Sequence, residues 1–399
     1  NAAITNSVGH TSLQAGRDLL VNASVSNSAD AMTLDLLAGR NLVMADGTQL
    51  SSSNGDIRAE ATSGDLVTEL LNAGTANIAL LAGNRLSDRD GDSLITASGL
   101  ILKAGTAAGS SSNVLNTNID LISAQVGSEG LFLTETNDLT IGALSVAAQR
   151  VDSSAQNDAL SAISTTQEDL NSLDNGAVIV TVTAGDLTLN GGTDEAGLTA
   201  TGSGNVRLQT LSGNLNLNAG LNAGSGHISL LAEGAVSQST IGDLSTTVGD
   251  IDLQATGNVG MADGATSTTT DGNIRYAVSG DLTLGGLSSN TGDISLIANS
   301  ISDAGSDEID LSAQQLRVSI TGAAGGFGSG DNAIETAVGT LSAQSGSAGF
   351  FLLESDALTI TELAAITTQH VNADGTAADS NTDAVLSDLV SQGALVLET

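Results

Sequence analysis

Along this chain, short runs in which apolar and polar residues alternate are broken by a glycine followed by Asp or Asn, after which the alternation resumes. In GDIDLQATGNVGM, Gly249 to Met261, Ile251 and Leu253 share one side of a short strand and Asp252 points to the other. Leu253 is therefore expected in a core and Asp252 in solvent. Glycine is expected to supply the positive φ of a tight turn, and the Asp or Asn side chain to cap it. Gly204, Gly226, Gly249, Gly272 and Gly292 recur at intervals of 22, 23, 23 and 20, and the interleaved Gly213, Gly234, Gly257 and Gly280 at intervals of 21, 23 and 23. A period near 22 with two or three strands per period predicts a parallel β-solenoid, whose coils bury their apolar faces only by stacking. The expected fold is all-β, a right-handed parallel β-helix with coils of about 20–23 residues. At that period the chain holds about 18 coils.

A longer repeat overlies the short one. MADG at Met44 to Gly47 returns at Met261 to Gly264, GDIR at Gly55 to Arg58 returns as GNIR at Gly272 to Arg275, and Gly9-His10 returns as Gly226-His227, each at an offset of 217 in the numbering. Residues 1–217 form one long unit and 218–399 a second, incomplete one, so the chain reads as a window of something longer. One segment per unit lacks the glycine-Asx phrase. In Ala155 to Asn175, Leu160, Ile163, Leu170 and Leu173 fall at spacings of 3, 7 and 3, which predicts a short helix or ordered loop projecting from the coils, with a plain excursion packed on one face and a contact knob as the two readings of its role. Its counterpart is Thr376 to Gln392, with Val385, Leu386 and Leu389.

Composition narrows the function. Aromatic residues are 1% of the chain and there is no Trp, Pro or Cys, yet 40% is hydrophobic, as a narrow core of aliphatic columns requires. Forty-five acidic residues against 10 basic ones give a net charge of −35. The arginines are scattered singly and Lys103 is the one lysine, which argues against nucleic acid as a partner. No apolar run is long enough to span a membrane, and residues 1–13 do not read as a signal peptide. Absence of cysteine suits export in an unfolded, thiol-free form.

The one local motif with a mechanism is Asp88-Arg89-Asp90-Gly91-Asp92-Ser93, where Asp88, Asp90 and Asp92 alternate around a glycine turn like the first half of a calcium loop. The twelfth position of such a loop is Gly99, which offers no ligand. The related run in the second unit holds Asp303, Asp307, Glu308 and Asp310. Calcium is the cofactor these residues suggest, and a solvated acidic turn is the alternative. His10, His227 and His370 have no second metal ligand at a useful spacing, and no GxSxG elbow or Ser-His-Asp arrangement accompanies the many Ser and Thr residues. An enzyme is not expected.

The succession GDLTL, GNVRL, GNLNL, GHISL and GDIDL resembles the repeat region of large filamentous-haemagglutinin-like bacterial surface adhesins, over nearly all 399 residues. The resemblance implies a right-handed parallel β-helix on the bacterial surface, serving as a stalk or in adhesion and biofilm formation. The function expected is a structural extracellular fibre or adhesin stalk, partnered by further copies of the repeat and by surface carbohydrate. The alternative is a carbohydrate-binding or polysaccharide-cleaving solenoid.

Overall fold

The computed structural model describes residues 2–91, 93–152, 154, 157–305 and 308–399. The chain is an all-β parallel β-solenoid of about 15 turns, matching a right-handed parallel β-helix. It packs as two compact units, residues 1–185 with 190–197, and residues 186–189 with 198–399. The turns are fewer than the period predicts because long excursions take residues out of the coils.

Each coil contributes to three stacks of parallel strands. In unit 2 the first stack runs through Ile228–Ala232, Ile251–Ala255, Ile274–Val278 and Asp293–Ala298. Its register lines up Ile228, Ile251, Ile274 and Ile294 in one column and Leu230, Leu253, Tyr276 and Leu296 in the next. All eight side chains are buried. The second stack includes Val236–Gln238 and Val259–Met261, and the third Leu244–Ser245 and Thr266–Thr269. Unit 1 repeats the first stack through Thr11–Ala15, Leu34–Ala38, Ile57–Ala61 and Asn77–Ala82. Three of the five aromatic rings, Tyr276, Phe327 and Phe350, are fully buried in the core. The Tyr276 hydroxyl is 2.7 Å from Ser267 Oγ, and Phe327 stacks on Phe350, its partner one coil on, at 4.7 Å between ring centroids.

The periodic glycines answer to a different constraint from the one expected. None of Gly204, Gly226, Gly249, Gly272 and Gly292 has a positive φ. Their coils touch instead. A Cβ on Gly249 would lie 1.9 Å from the Gly226 carbonyl oxygen, and one on Gly272 would lie 2.0 Å from that of Gly249. A hydroxyl three residues earlier closes each corner: the N–H groups of Gly249, Gly272 and Gly292 donate to the side-chain oxygens of Thr246, Thr269 and Ser289. Those same hydroxyls donate to the carbonyls of Gly226, Gly249 and Gly272, one coil below.

The Asp or Asn after the glycine also works between coils rather than within its own turn. His227 N donates to Asn205 Oδ1 at 2.9 Å, Asp250 N to His227 Nδ1 at 2.9 Å, Asn273 N to Asp250 Oδ1 at 2.7 Å and Asp293 N to Asn273 Oδ1 at 2.8 Å. Each side chain thus satisfies a backbone donor that the bend of the corner removes from the strand ladder. The second corner repeats the device through Asp18 and Asn41 in unit 1 and through Asn214 in unit 2.

The excursions are not helices, and they pack on one face of the coils. No helix occurs among the described residues. In unit 1, Leu144–Val151 pairs antiparallel with Asn157–Gln167, and in unit 2, Ile366–His370 pairs antiparallel with Asp379–Asp383. Leu170 and Leu389, read from the sequence as helical positions, begin strands that have rejoined the coils. Each hairpin folds back over the outer face of the first stack as a strap. It covers the outward residues beneath it, so Asp252, expected in solvent, is 0% exposed, while Leu253 is buried as expected.

Candidate functional site

The outer face of the first stack, under the strap, concentrates the polar chemistry of each unit. In unit 1 the strap backbone is received by outward side chains: Ala147 N donates to Asp56 Oδ2 at 2.9 Å, Gln149 N to Thr33 Oγ1 at 2.9 Å and Val151 N to Ser12 Oγ at 2.8 Å. Arg150 Nε reaches Asp35 Oδ2 at 2.5 Å, and Arg58 Nη1 reaches the other oxygen of that buried carboxylate at 2.9 Å. An apolar patch completes the contact, with Val146 of the strap on Ala79 and Ile101 and with Leu81 and Leu144 at its edge.

Unit 2 builds the same joint with changed residues. Val371 N donates to Ser229 Oγ at 2.8 Å and Gln369 N to Asp250 Oδ2 at 2.6 Å. Asp252 Oδ1 accepts from Arg275 Nη1 at 3.0 Å, and its Oδ2 accepts from His370 Nδ1, Gln254 Nε2 and Asn381 Nδ2 at 2.8 to 2.9 Å. Arg275 Nε in turn reaches Asp383 of the strap at 3.0 Å. Burial alone would raise the Asp252 carboxyl, but the bonds from His370 and Arg275 and the guanidinium charge outweigh it and hold the group below the usual carboxylate value. Ser12, Asp35 and Arg58 recur as Ser229, Asp252 and Arg275 at the offset of 217, while Arg150 becomes His370 at an offset of 220.

Of the predicted calcium residues, Asp88 and Asp90 take different places. Asp88 points into the coil, where its Oδ1 accepts from Ser93 Oγ and from Asp90 N, and it is buried. Asp90 instead joins Asp46 and Glu69, each offering one carboxylate oxygen within 4.8 Å of the others. Asp92 lies outside the described residues, as does Asp307 of the related run. The three grouped carboxylates come from successive coils, so the coil period itself is the signal that brings them together. In unit 2 the equivalent corner gathers Asp303, Asp310 and Glu335 by the same measure. Burial, with the negative charge of Asp303 and Glu335 added, pushes Asp310 up to about 8, against the Glu335 N–H that bonds it. A cation held between the three would offset that repulsion.

A carboxyl raised in the folded state contributes stability that is complete below its ordinary value of 3.8 and is lost as pH rises through 8. Asp310→Asn is therefore expected to raise stability by on the order of 2 kcal/mol at pH 8 and to change little at pH 4. Urea midpoints of the two proteins at both pH values decide the matter, and a gain that is equal at both would contradict the assignment.

Unit 2 also bears an open groove of about 560 Å³ on the outer face of the first stack. Gln209, Leu231, Gln254, Ala277 and Ile297, one from each of five successive coils, form its axis, and Thr256 and Ser279 lie along one edge. Comparison of the chain with protein-family models, with curated proteins and with solved structures finds no match.

Proposed function

We propose that this chain is a structural element of an extracellular fibre or adhesin stalk on a bacterial surface, mediating attachment or biofilm contact. The observation that supports this reading is duplication. At an offset near 217 both units repeat the coil, the corner ladders and the strap, down to the bond from Val151 N to Ser12 and its counterpart from Val371 N to Ser229. A spacer is extended by copying its unit, whereas an active site is a local exception to a repeat. On this reading the acidic surface keeps a long polymer dispersed, and the partners are further copies of the repeat and surface carbohydrate.

Antibodies raised against the chain are expected to label intact producing cells, and an in-frame deletion of one long unit to reduce attachment. Labelling that requires lysis, with attachment unchanged, would refute the proposal. The unit 2 groove supports a second reading as a glycan-binding solenoid, because Gln209 and Gln254 alternate with aliphatic Leu231 and Ala277 along a linear track. Retention of a linear neutral glycan, lost on Gln209→Ala, would favour that reading.

A further inference from the structure

His10 and His227 occupy the same rung of the corner ladder, one in each long unit. Thr33 N donates to His10 Nδ1 at 3.0 Å, and Asp250 N donates to His227 Nδ1 at 2.9 Å. A backbone N–H can only donate, so each ring is neutral, accepts at Nδ1 and carries its proton on Nε2. The rungs at Asn205 and Asn273 use carboxamide oxygens, which do not titrate, and the rung between His227 and Asn273 uses the Asp250 carboxylate. The residue each histidine receives is the one that receives the strap. Thr33 Oγ1 accepts from Gln149 N, and Asp250 Oδ2 accepts from Gln369 N.

We infer that His10 and His227 make the attachment of each strap acid-sensitive. Protonation turns Nδ1 from an acceptor into a donor, breaks the bond from the next coil and displaces the residue that anchors the strap. The charged groups packed around this joint in unit 1 are Asp35, Asp56, Arg58, Glu60 and Arg150. In unit 2 they are Asp250 itself, Asp252, Arg275, Asp383 and His370. Thr33 Oγ1, 2.9 Å from His10 Nδ1, and Asp250 Oδ2, 4.0 Å from His227 Nδ1, can each turn to the protonated ring, but each is the oxygen that holds the strap N–H, so the strap is loosened by that route too. His370 behaves oppositely: its Nδ1 faces Asp252 Oδ2 at 2.9 Å, and a proton there is compatible with the bond. Burial holds His10 and His227 below the ordinary histidine value, opposed at His227 by the charge of Asp250. The stability they contribute is thus complete above 6.5 and is lost as pH falls below it.

The test is amide hydrogen exchange on the 399-residue chain, expressed as protection relative to the intrinsic rate at each pH. Between about pH 7.5 and about pH 5, protection at Gln149 and Val151 and at Gln369 and Val371 is expected to fall by about tenfold or more. His10→Asn should abolish the fall in the first strap alone, and His227→Asn in the second alone, because asparagine is the residue the ladder already uses. Protection independent of pH, or an undiminished fall in the asparagine variants, overturns the inference. Should a variant fail to fold, ¹⁵N-histidine spectra of the unmodified protein decide it: His10 and His227 must show the Nε2–H form at neutral pH, and the Nδ1–H form at either would overturn it.

Discussion

Replacing Asp252 by alanine is expected to destabilise unit 2 by about 3 kcal/mol, since it strips a largely buried guanidinium of one of its two carboxylate partners, Asp383 being the other. Arg275 Nη1, His370 Nδ1, Gln254 Nε2 and Asn381 Nδ2 all donate to this one carboxylate, which no solvent reaches. Alanine leaves those four donors unanswered, and asparagine, though isosteric, places a donor of its own among them. Asp252→Asn is therefore also expected to be costly, at ~2 kcal/mol or more, whereas the alternation of the sequence reads it as a neutral surface change. Because the carboxyl is held below 3.8, its contribution is present above that value and is lost as pH falls through the folded-state value. The difference in urea midpoint between wild type and Asp252→Ala should accordingly be large at pH 7 and shrink in strong acid. Near-equal midpoints at pH 7 would mean that the strap is not seated on this face.

Gly249→Val is expected to cost about 3 kcal/mol or more, at the upper end of overpacking effects. The new Cβ would lie 1.9 Å from the Gly226 carbonyl oxygen, a backbone atom that cannot swing aside, so relief requires separating two coils. Separation also weakens the bonds from Asp250 N to His227 and from Thr246 Oγ1 to the Gly226 carbonyl. Gly260→Thr is the matched control. Gly260 is exposed on the outside of the next strand, and a Cβ there has nothing within 4 Å. That change is expected to be neutral or mildly stabilising, as threonine suits a strand better than glycine. Comparable melting temperatures for the two variants would remove close coil contact as the reason for the glycine period.

The coil was legible because alternation and glycine spacing are local signals that stacking merely multiplies. Ile251 and Leu253 are buried where the pattern puts them. The glycine-Asx phrase was legible as a corner but not as a ladder, since its two residues act on the coil below and the coil above. The straps were misread for a physical reason: a short apolar run fits a 3.6-residue and a 2-residue period about equally, and only the surface it lands on decides. That surface lies far back in the sequence. Val371 meets Ser229 across 142 residues, and Val151 meets Ser12 across 139. Strap signals were nonetheless present, in the alternation of Val146 and Ala148, both buried, and in Asp35 and Arg58, a charged pair at outward positions of adjacent coils. The acidic corner was half legible. Asp90 belongs to a carboxylate group, but its companions Glu69 and Asp46 lie one coil and two coils earlier rather than two residues away.

The central claim, that each unit is a coil stack bearing a back-folded strap, is tested most directly by nuclear Overhauser contacts at the two strap anchors. The Val371 amide should show a cross-peak to the Ser229 β protons, and the Val151 amide one to those of Ser12, as the 2.8 Å bonds from those amides to the serine hydroxyls require. Absence of both, with successive amide contacts typical of a helix between residues 157 and 167, would contradict the account.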